Sequence, residues 1–355
     1  MSRPGASGEI PLRSLALSVV LPGFMGTTPP PWLRRALTEG LAGVCLFGHN
    51  VEGEDQVRAL TRAVRDERPE ALVASDEEGG SVTRLDAGLG SPWPGAATLG
   101  ALDDPAATYE VALALGSHAR SLGVDLVLGP VIDVNSEPDN PVIGIRSFGA
   151  TTELVSRHGV AFVRGLGDAG VVACAKHFPG HGATTSDSHV DLPVLEVDES
   201  TWRDRDLPPF VAAVAAGVPA LMTAHVVLRA LDDVPATTSA VVLRVLRDEL
   251  GFAGAVVSDA LDMRAVSERL GRAGGAVAAL LAGVDLLCVG NPAFPGGYDD
   301  AAALEEIVAA IVSAVEDGTL PLARLEEASA RVASLPRGTG TEVGTRPRAE
   351  LLADG

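Results

Sequence analysis

The sequence predicts an α/β protein of the (β/α)8 TIM-barrel type, built as a single domain. Short runs rich in Val, Leu and Ile recur along the chain, and each is followed by a segment with helical periodicity. Six of the eight runs end in Gly or Asn, and together the runs cover residues 15–23, 43–50, 72–80, 125–135, 171–180, 220–228, 253–263 and 284–291. Strands covered by helices on both faces have this nearly continuous apolar character, so eight of them favour a closed parallel barrel.

An open, doubly wound sheet is the alternative architecture, and it would bind its ligand where the strand order reverses. The chain has no G-x-G-x-x-G after its first apolar run, which weakens that alternative. No linker composition interrupts residues 10–335, so residues 1–335 are expected to form the barrel. Residues 336–355 are rich in Gly, Pro and charge and are expected to form a flexible tail.

The charge balance excludes several classes of partner. The chain of 355 residues carries 27 Lys and Arg against 47 Asp and Glu, a formal net charge of −20. Such a charge repels nucleic acid and anionic membrane, so neither is expected as a partner. The three cysteines, Cys45, Cys174 and Cys288, lie in separate apolar runs and are predicted to be buried thiols.

The apolar segment near the N-terminus, "LRSLALSVVLPGF", is too short to span a membrane, and no convincing small-residue cleavage site follows it. It is therefore interpreted as the first buried strand, and the protein is expected to be cytoplasmic. No cofactor is implied, and a monomer is the expected state.

Polar residues concentrate at the ends of the predicted strands, where a barrel carries its active site. The densest group is "AKHFPGHGATTSDSH" at residues 175–189, in which the glycines are expected to form a mobile span. Its three histidines and Asp187 could bind a metal ion. Alternatively, Asp187 could orient His189 for proton transfer, facing Asp259 at the end of the seventh run.

Four motifs in the same order resemble glycoside hydrolase family 3, and specifically its single-domain bacterial β-N-acetylglucosaminidases. They are "SDEEGGSVTR", "PVIGIRSFG", "KHFPGHG" with "DSH", and "VVSDALDM". The resemblance covers about residues 10–335 and implies a (β/α)8 barrel and a two-step retaining mechanism.

The resemblance also implies roles for individual residues. Asp259 occupies the position of the nucleophile, and the pair Asp187 and His189 occupies that of the acid/base. The sugar-binding positions are those of Asp76, Arg84, Arg146, Lys176 and His177. Cationic donors around a buried carboxylate suit this chemistry, because they bind sugar hydroxyls and keep the nucleophile ionised.

Some residues depart from the pattern frequent in the family, which has "SDDL" and "GDRSF" where this chain has "SDAL" and "GIRSF". None of these changes removes a catalytic group. Asp262 could supply the missing carboxylate, but it is interpreted as an outward-facing acid at the start of the following helix.

The function expected from the sequence is that of an exo-β-N-acetylglucosaminidase that removes terminal N-acetylglucosamine from cell-wall or chitin fragments. A phosphorylase or a broader β-glycosidase with the same site is the alternative. A non-catalytic sugar-binding protein and a metal-dependent hydrolase are further hypotheses.

Overall fold

The computed structural model describes residues 10–186, 192–293 and 297–337. Eight parallel strands form the predicted barrel. They are β1 (Val20–Pro22), β2 (Gly43–Leu46), β3 (Leu72–Ser75), β4 (Leu126–Val127), β5 (Val172–Phe178), β6 (Ala220–Thr223), β7 (Ala255–Val257) and β8 (Leu287–Gly290). Each lies inside one of the apolar runs that the sequence offers as strands, so the (β/α)8 prediction is confirmed.

The strands pair in chain order around the barrel. Strands β2 to β7 form one hydrogen-bonded sheet, and β8 pairs with β1. An isolated parallel bridge between Val257 and Leu286 connects the sheet to β8. On the other side of β1, the Ala42 amide donates to the Leu17 carbonyl at 3.0 Å, next to β2. These links close the ring, so the carboxyl ends of all eight strands open on the same face.

Helices surround the strands. They are α1 (Leu12–Leu17), α2 (Pro31–Glu39), α3 (Glu54–Glu67), α4 (Ala96–Leu102), α5 (Pro105–Ser121), α6 (Thr152–Asp168), α7 (Glu199–Arg205), α8 (Pro208–Ala215), α9 (Ala240–Arg244), α10 (Arg264–Ala282), α11 (Asp300–Glu316) and α12 (Leu322–Ser334). A π-helical turn, Val245–Glu249, extends α9. Within the described ranges, no helix combines the length and the apolar character needed to cross a membrane.

The first apolar run corrects one expectation. Residues 12–17 form helix α1 and not a strand, and β1 is only three residues long. The side chains of Leu15, Ala16 and Leu17 are buried in the core that surrounds the barrel. An apolar run of this length is compatible with either a buried strand or a buried helix, because periodicity does not separate the two over so few residues.

Alternation along each strand builds two layers of core. Inward residues such as Leu21, Cys45 and Cys174 fill the barrel. Their outward neighbours, such as Val44 and Val73, pack under the helices. Burying a Val or Leu side chain contributes about 1.5–3 kcal/mol, so these layers account for much of the barrel's stability. All three cysteines are free and buried, as predicted.

Candidate active site

A cavity opens at the carboxyl ends of the strands. Its lining includes every predicted site residue that falls within the described ranges, namely Asp76, Arg84, Arg146, Lys176, His177 and Asp259. These residues come from four different strand ends, 76–84 after β3, 146 after β4, 176–177 in β5 and 259 after β7. The predicted acid/base pair, Asp187 and His189, lies outside the described residues.

One wall of the cavity is a chain of ion pairs. Lys176 Nζ donates to Asp76 Oδ1 at 2.8 Å, and Arg84 Nη2 donates to Asp76 Oδ2 at 3.2 Å. Burial raises the pKa of the Asp76 carboxyl, but Lys176 and Arg84 lower it by more, so the net pKa is well below its usual range. Asp76 is therefore an ionised acceptor on the cavity surface.

Glu78 is a member of this wall that the sequence analysis missed. It receives both Arg146 Nε (2.9 Å) and Arg146 Nη2 (2.8 Å), and its Oε1 lies 2.7 Å from Lys176 Nζ. Glu78 lies in a short strand, Glu77–Gly79, that pairs with Val82–Thr83. Asp76 directly precedes this strand and is two residues before Glu78. Residues two apart in an extended segment point the same way, so the pattern "DEE" contained the signal.

Asp133 is the second missed carboxylate, and it orients His177. Its Oδ2 accepts a hydrogen bond from His177 Nδ1 at 2.7 Å, and its Oδ1 accepts from the His181 amide at 2.7 Å. Burial raises the pKa of Asp133, but the nearby His177 and His181 lower it by more, so the net shift is downward. Because Nδ1 donates its hydrogen bond to the Asp133 carboxylate, the Nε2 edge of the His177 ring faces the cavity and Arg146.

The loop after β5 is not a mobile span as far as the structure describes it. His181 and Thr184 are almost wholly buried. The Pro179 carbonyl accepts from Trp202 Nε1 at 2.9 Å, and the Gly182 carbonyl accepts from the Glu137 amide at 3.2 Å. A Cβ at position 182 would collide with the Val134 carbonyl. The glycines therefore allow close backbone packing, and residues 178–184 are fixed to their surroundings.

The half-buried Asp259 carboxyl group lies in the cavity at the end of β7. Its Oδ1 accepts from the Ala260 amide at 2.7 Å, and His225 Nε2 donates to the Ala260 carbonyl at 2.9 Å. Burial raises the pKa of Asp259, but His225, His177 and the Ala260 amide lower it by more, so the group stays ionised. His225 is wholly buried and holds the backbone beside Asp259.

Asp262 does not point outward, which corrects the sequence interpretation. Its carboxyl group packs against Gly290, and a Cβ at that glycine would overlap it. Its Oδ2 is buried without a hydrogen bond to any described residue. Burial and the negative charge of Asp259 raise the pKa of Asp262 to about 7. Tyr298, whose ring lies 4.2 Å from the Arg272 guanidinium carbon, is a neighbour of this group, and burial and the Asp262 charge raise the pKa of the Tyr298 hydroxyl.

The described residues contain no cluster of side chains that would support the metal-site hypothesis. Over these ranges, no group of three or more His, Cys, Asp or Glu side chains is arranged to hold a metal ion. His177 and His181 instead meet edge to ring at 6.2 Å between centroids. Burial and the nearby His177 lower the pKa of His181 to about 4, so this ring is neutral at pH 7.

A closed (β/α)8 barrel with a buried carboxylate and a wall of ion pairs at its carboxyl-terminal face has the architecture of a barrel enzyme. The glycosyl hydrolase family 3 N-terminal domain matches residues 34–335. The chain belongs to that family.

Named relatives agree with this assignment. The β-hexosaminidase of Hydrogenovibrio crunogenus is 34% identical over 322 residues, which cover 88% of this chain and 87% of that protein. The β-hexosaminidase A of Pseudoalteromonas piscicida is 34% identical over 334 residues, 87% of this chain but only 55% of that protein. The chain therefore spans little more than half of this longer relative.

A solved structure is similar over nearly the whole chain. The family 3 β-N-acetylglucosaminidase from a Paenibacillus species has a TM-score of 0.89 and 36% sequence identity, and the match covers 98% of this chain and 68% of that one. The resemblance inferred from four short motifs is thus confirmed at the level of family and fold.

Proposed function

We propose that the protein is a retaining exo-β-N-acetylglucosaminidase that hydrolyses a terminal β-linked N-acetylglucosamine. The observation that carries the proposal is Asp259, a half-buried, ionised carboxylate in the same cavity as a wall of paired cations and carboxylates. The similar proteins described above, two β-hexosaminidases and a β-N-acetylglucosaminidase, support the same activity.

In the proposed first step, a carboxylate oxygen of Asp259 attacks the anomeric carbon and the bond to the leaving oxygen breaks. A glycosyl ester forms with inversion at that carbon. In the second step water attacks the same carbon, the ester bond breaks, and the second inversion restores the β configuration. The cationic surroundings that lower the pKa of Asp259 support this role, because only the carboxylate form is a nucleophile.

Proton transfer is assigned to His189, oriented by Asp187, on the basis of the "DSH" motif alone, since both residues lie outside the described ranges. His189 would protonate the leaving oxygen and then accept the proton of the attacking water. A histidine suits both roles because its ordinary pKa lies near neutrality.

The sugar ring is proposed to bind against Asp76, Arg84, Arg146, Lys176 and His177. Each presents a charged or polar edge to the cavity, and ionised donors and acceptors make stronger hydrogen bonds to hydroxyl groups than neutral ones do. A terminal N-acetylglucosamine from cell-wall or chitin fragments is the proposed substrate.

Hydrolysis is preferred to phosphorolysis because the cavity's three cations, Arg84, Arg146 and Lys176, each already lie within ion-pair distance of a protein carboxylate. A phosphate acceptor would have to compete with those carboxylates for the same donors.

The test uses aryl β-glycosides of N-acetylglucosamine, N-acetylgalactosamine, glucose and xylose, each with and without inorganic phosphate. The N-acetylglucosaminide is expected to be cleaved fastest, and NMR should detect the β-anomer of the free sugar first. An α-anomer as first product would contradict a retaining mechanism. Accumulation of the sugar 1-phosphate would replace hydrolysis with phosphorolysis.

The nucleophile can be identified separately. A fluorinated N-acetylglucosaminyl fluoride should form a long-lived ester, and peptide mass spectrometry should place the added mass on the peptide containing Asp259. Labelling of any other carboxylate would overturn the assignment.

A further inference from the structure

Glu78 differs from the other carboxylates of the cavity in how completely it is engaged. Oε1 lies within ion-pair distance of Lys176 and accepts from Arg146, and Oε2 accepts from Arg146 Nε. Only 5% of its side chain is exposed, against 17% for Asp76. Glu78 therefore has little surface left for a sugar hydroxyl, whereas Asp76 is more exposed to the cavity.

Glu78 also holds two cations at a fixed separation. Arg146 comes from a 3-10 turn, Gly144–Arg146, in the loop after β4, and Lys176 lies in β5. A bidentate carboxylate constrains the plane of the guanidinium group, and the same carboxylate limits where the ammonium group can move. Because both cations line the cavity, the carboxylate that holds them also fixes how they face it.

The charges that line the cavity balance. Three cations, Arg84, Arg146 and Lys176, face three carboxylates, Asp76, Glu78 and Asp259. Burial raises the pKa of Glu78, but Lys176 and Arg146 lower it by more, to about 2, so this carboxylate is ionised at every working pH. With His181 neutral and His177 bonded to Asp133, the described residues that line the cavity carry no net positive charge to attract an anionic sugar.

We propose that Glu78 is a positioning residue that also determines specificity: it aims Arg146 and Lys176 at sugar hydroxyls and keeps the cavity selective for uncharged sugars over anions. The proposal builds on the proposed glycosidase function and extends it to the class of sugar accepted. It requires that loss of the Glu78 charge affects neutral and anionic ligands in opposite directions.

The test compares the Glu78→Gln variant with the wild-type protein. Two ligands are used, N-acetylglucosamine as the neutral sugar and sulfate as a small anion that cannot act as an acceptor. Dissociation constants come from calorimetric titration, so the measurement does not depend on turnover. Glu52→Gln is the matched control, because Glu52 is an exposed glutamate in the loop after β2 and does not line the cavity.

In Glu78→Gln the guanidinium group of Arg146 loses its carboxylate, so sulfate affinity is expected to rise by about ten-fold or more. Affinity for N-acetylglucosamine is expected to fall by about ten-fold, because Arg146 and Lys176 are no longer held in a fixed orientation toward the sugar hydroxyls. Glu52→Gln should change neither constant. A parallel loss of both affinities in Glu78→Gln, with the variant folded, would show a merely structural role and overturn the proposal.

Glu78→Asp keeps the charge but shortens the arm, and it serves if the glutamine variant does not fold. Binding of N-acetylglucosamine should weaken while sulfate binding stays as weak as in the wild type. The wild-type protein provides a test that needs no variant, since equal affinity for sulfate and N-acetylglucosamine would by itself refute the proposal. A wild-type protein that binds N-acetylglucosamine but cleaves no aryl glycoside would instead refute the proposed function and leave the role of Glu78 intact.

Discussion

The two ends of the barrel carry buried carboxylates surrounded by cations, and their different geometry explains their different uses. At the mouth, Asp76 and Glu78 meet Arg84, Arg146 and Lys176 along the wall of a cavity. At the opposite end, Asp285 meets Arg247 (2.5 Å), Arg324 (2.8 Å) and Arg331 (3.2 Å). Both clusters pair acidic with basic side chains, but the first borders a cavity, whereas Asp285 is wholly buried.

The cluster at the closed end directs its remaining donors to the backbone. Arg247 Nη1 donates to the carbonyls of Phe252 and Gly254, and Arg324 Nη2 donates to that of Val284. Asp285 Oδ2 itself accepts from the Val256 amide at 2.9 Å. A fully engaged cluster stabilises the fold, whereas a partly engaged one can bind a substrate.

A second carboxylate with similar partners lies at the same end of the barrel, on the opposite side. The tetrapeptide "GVDL" occurs at residues 123–126 and 283–286, directly before or at the start of β4 and β8. Asp125 accepts from the Val73 amide at 3.0 Å and from Arg65 Nη2 at 2.8 Å, which matches the bonds of Asp285 to Val256 and Arg247. Two equivalent anchors therefore hold opposite sides of the barrel.

The first prediction concerns the catalytic side of this comparison and has the largest expected effect. Asp259→Asn should lower kcat/KM for an aryl N-acetylglucosaminide by at least about a thousand-fold, because the amide cannot form the glycosyl ester. The thermal unfolding midpoint should not fall. Near-normal turnover in this variant would remove Asp259 from the mechanism.

The second prediction concerns the closed end. Asp285→Asn should destabilise the protein by about 3–5 kcal/mol, because three arginines lose their buried counter-charge. Urea unfolding monitored by circular dichroism gives the change in midpoint, with the exposed Asp55→Asn as control. Activity per folded molecule should stay unchanged, and a fall in kcat in fully folded protein would show that the two ends are coupled.

The third prediction separates proton transfer from nucleophilic attack. His189→Ala should reduce turnover of substrates with poor leaving groups by roughly a hundred-fold or more, because their leaving oxygen must be protonated. An activated aryl glycoside should lose much less in its glycosylation step. Equal losses for both substrates in pre-steady-state measurements would indicate that His189 has a structural role.

The fourth prediction concerns Asp262, whose carboxyl group belongs to neither cluster. The pKa of Asp262 is raised to about 7 in the folded protein, above its ordinary value of 3.8. The folded state therefore binds this proton more tightly, and the stability it contributes below pH 4 is lost as the pH rises to about 7. Asp262→Asn should thus stabilise the protein at pH 8 relative to the wild type, by at least about 1 kcal/mol.

The same variant should have little effect near or below about pH 3, where Asp262 is largely neutral in both states, because this pH lies below both pKa values. Thermal unfolding midpoints at about pH 3 and pH 8 measure the difference. A variant that is less stable than the wild type at pH 8 would show that the ionised carboxylate is stabilising, contrary to its environment in the structure.

Much of the site could be predicted from the chain because barrel strands bring their carboxyl ends together. Asp76, Lys176 and Asp259 each follow or end an apolar run, so the fold class alone places them on one face. Glu78 and Asp133 were missed because a sequence does not tell which acid lines a cavity and which bonds a cation behind it. That distinction depends on exposure and on partners that are distant in the sequence, such as Arg146, which lies 68 residues from Glu78.

Local flexibility was predicted wrongly for a related reason. The composition of residues 178–184 is that of a mobile loop, but its glycines sit where the chain passes close to Val134 and Asp206. Asp262 was judged by its position before α10, whereas its carboxyl group packs against Gly290 and lies near Tyr298. Both errors come from contacts between segments that are distant in the sequence.

The sequence by itself determined the barrel, the family and the residues that carry the proposed chemistry, because apolar periodicity and short motifs are local properties of the chain. Only the tertiary structure decided which carboxylates are ionised, which cations remain accessible and which loop segments are fixed. Those properties depend on burial and on charges from separate strands, and burial and charge act through space and not along the sequence.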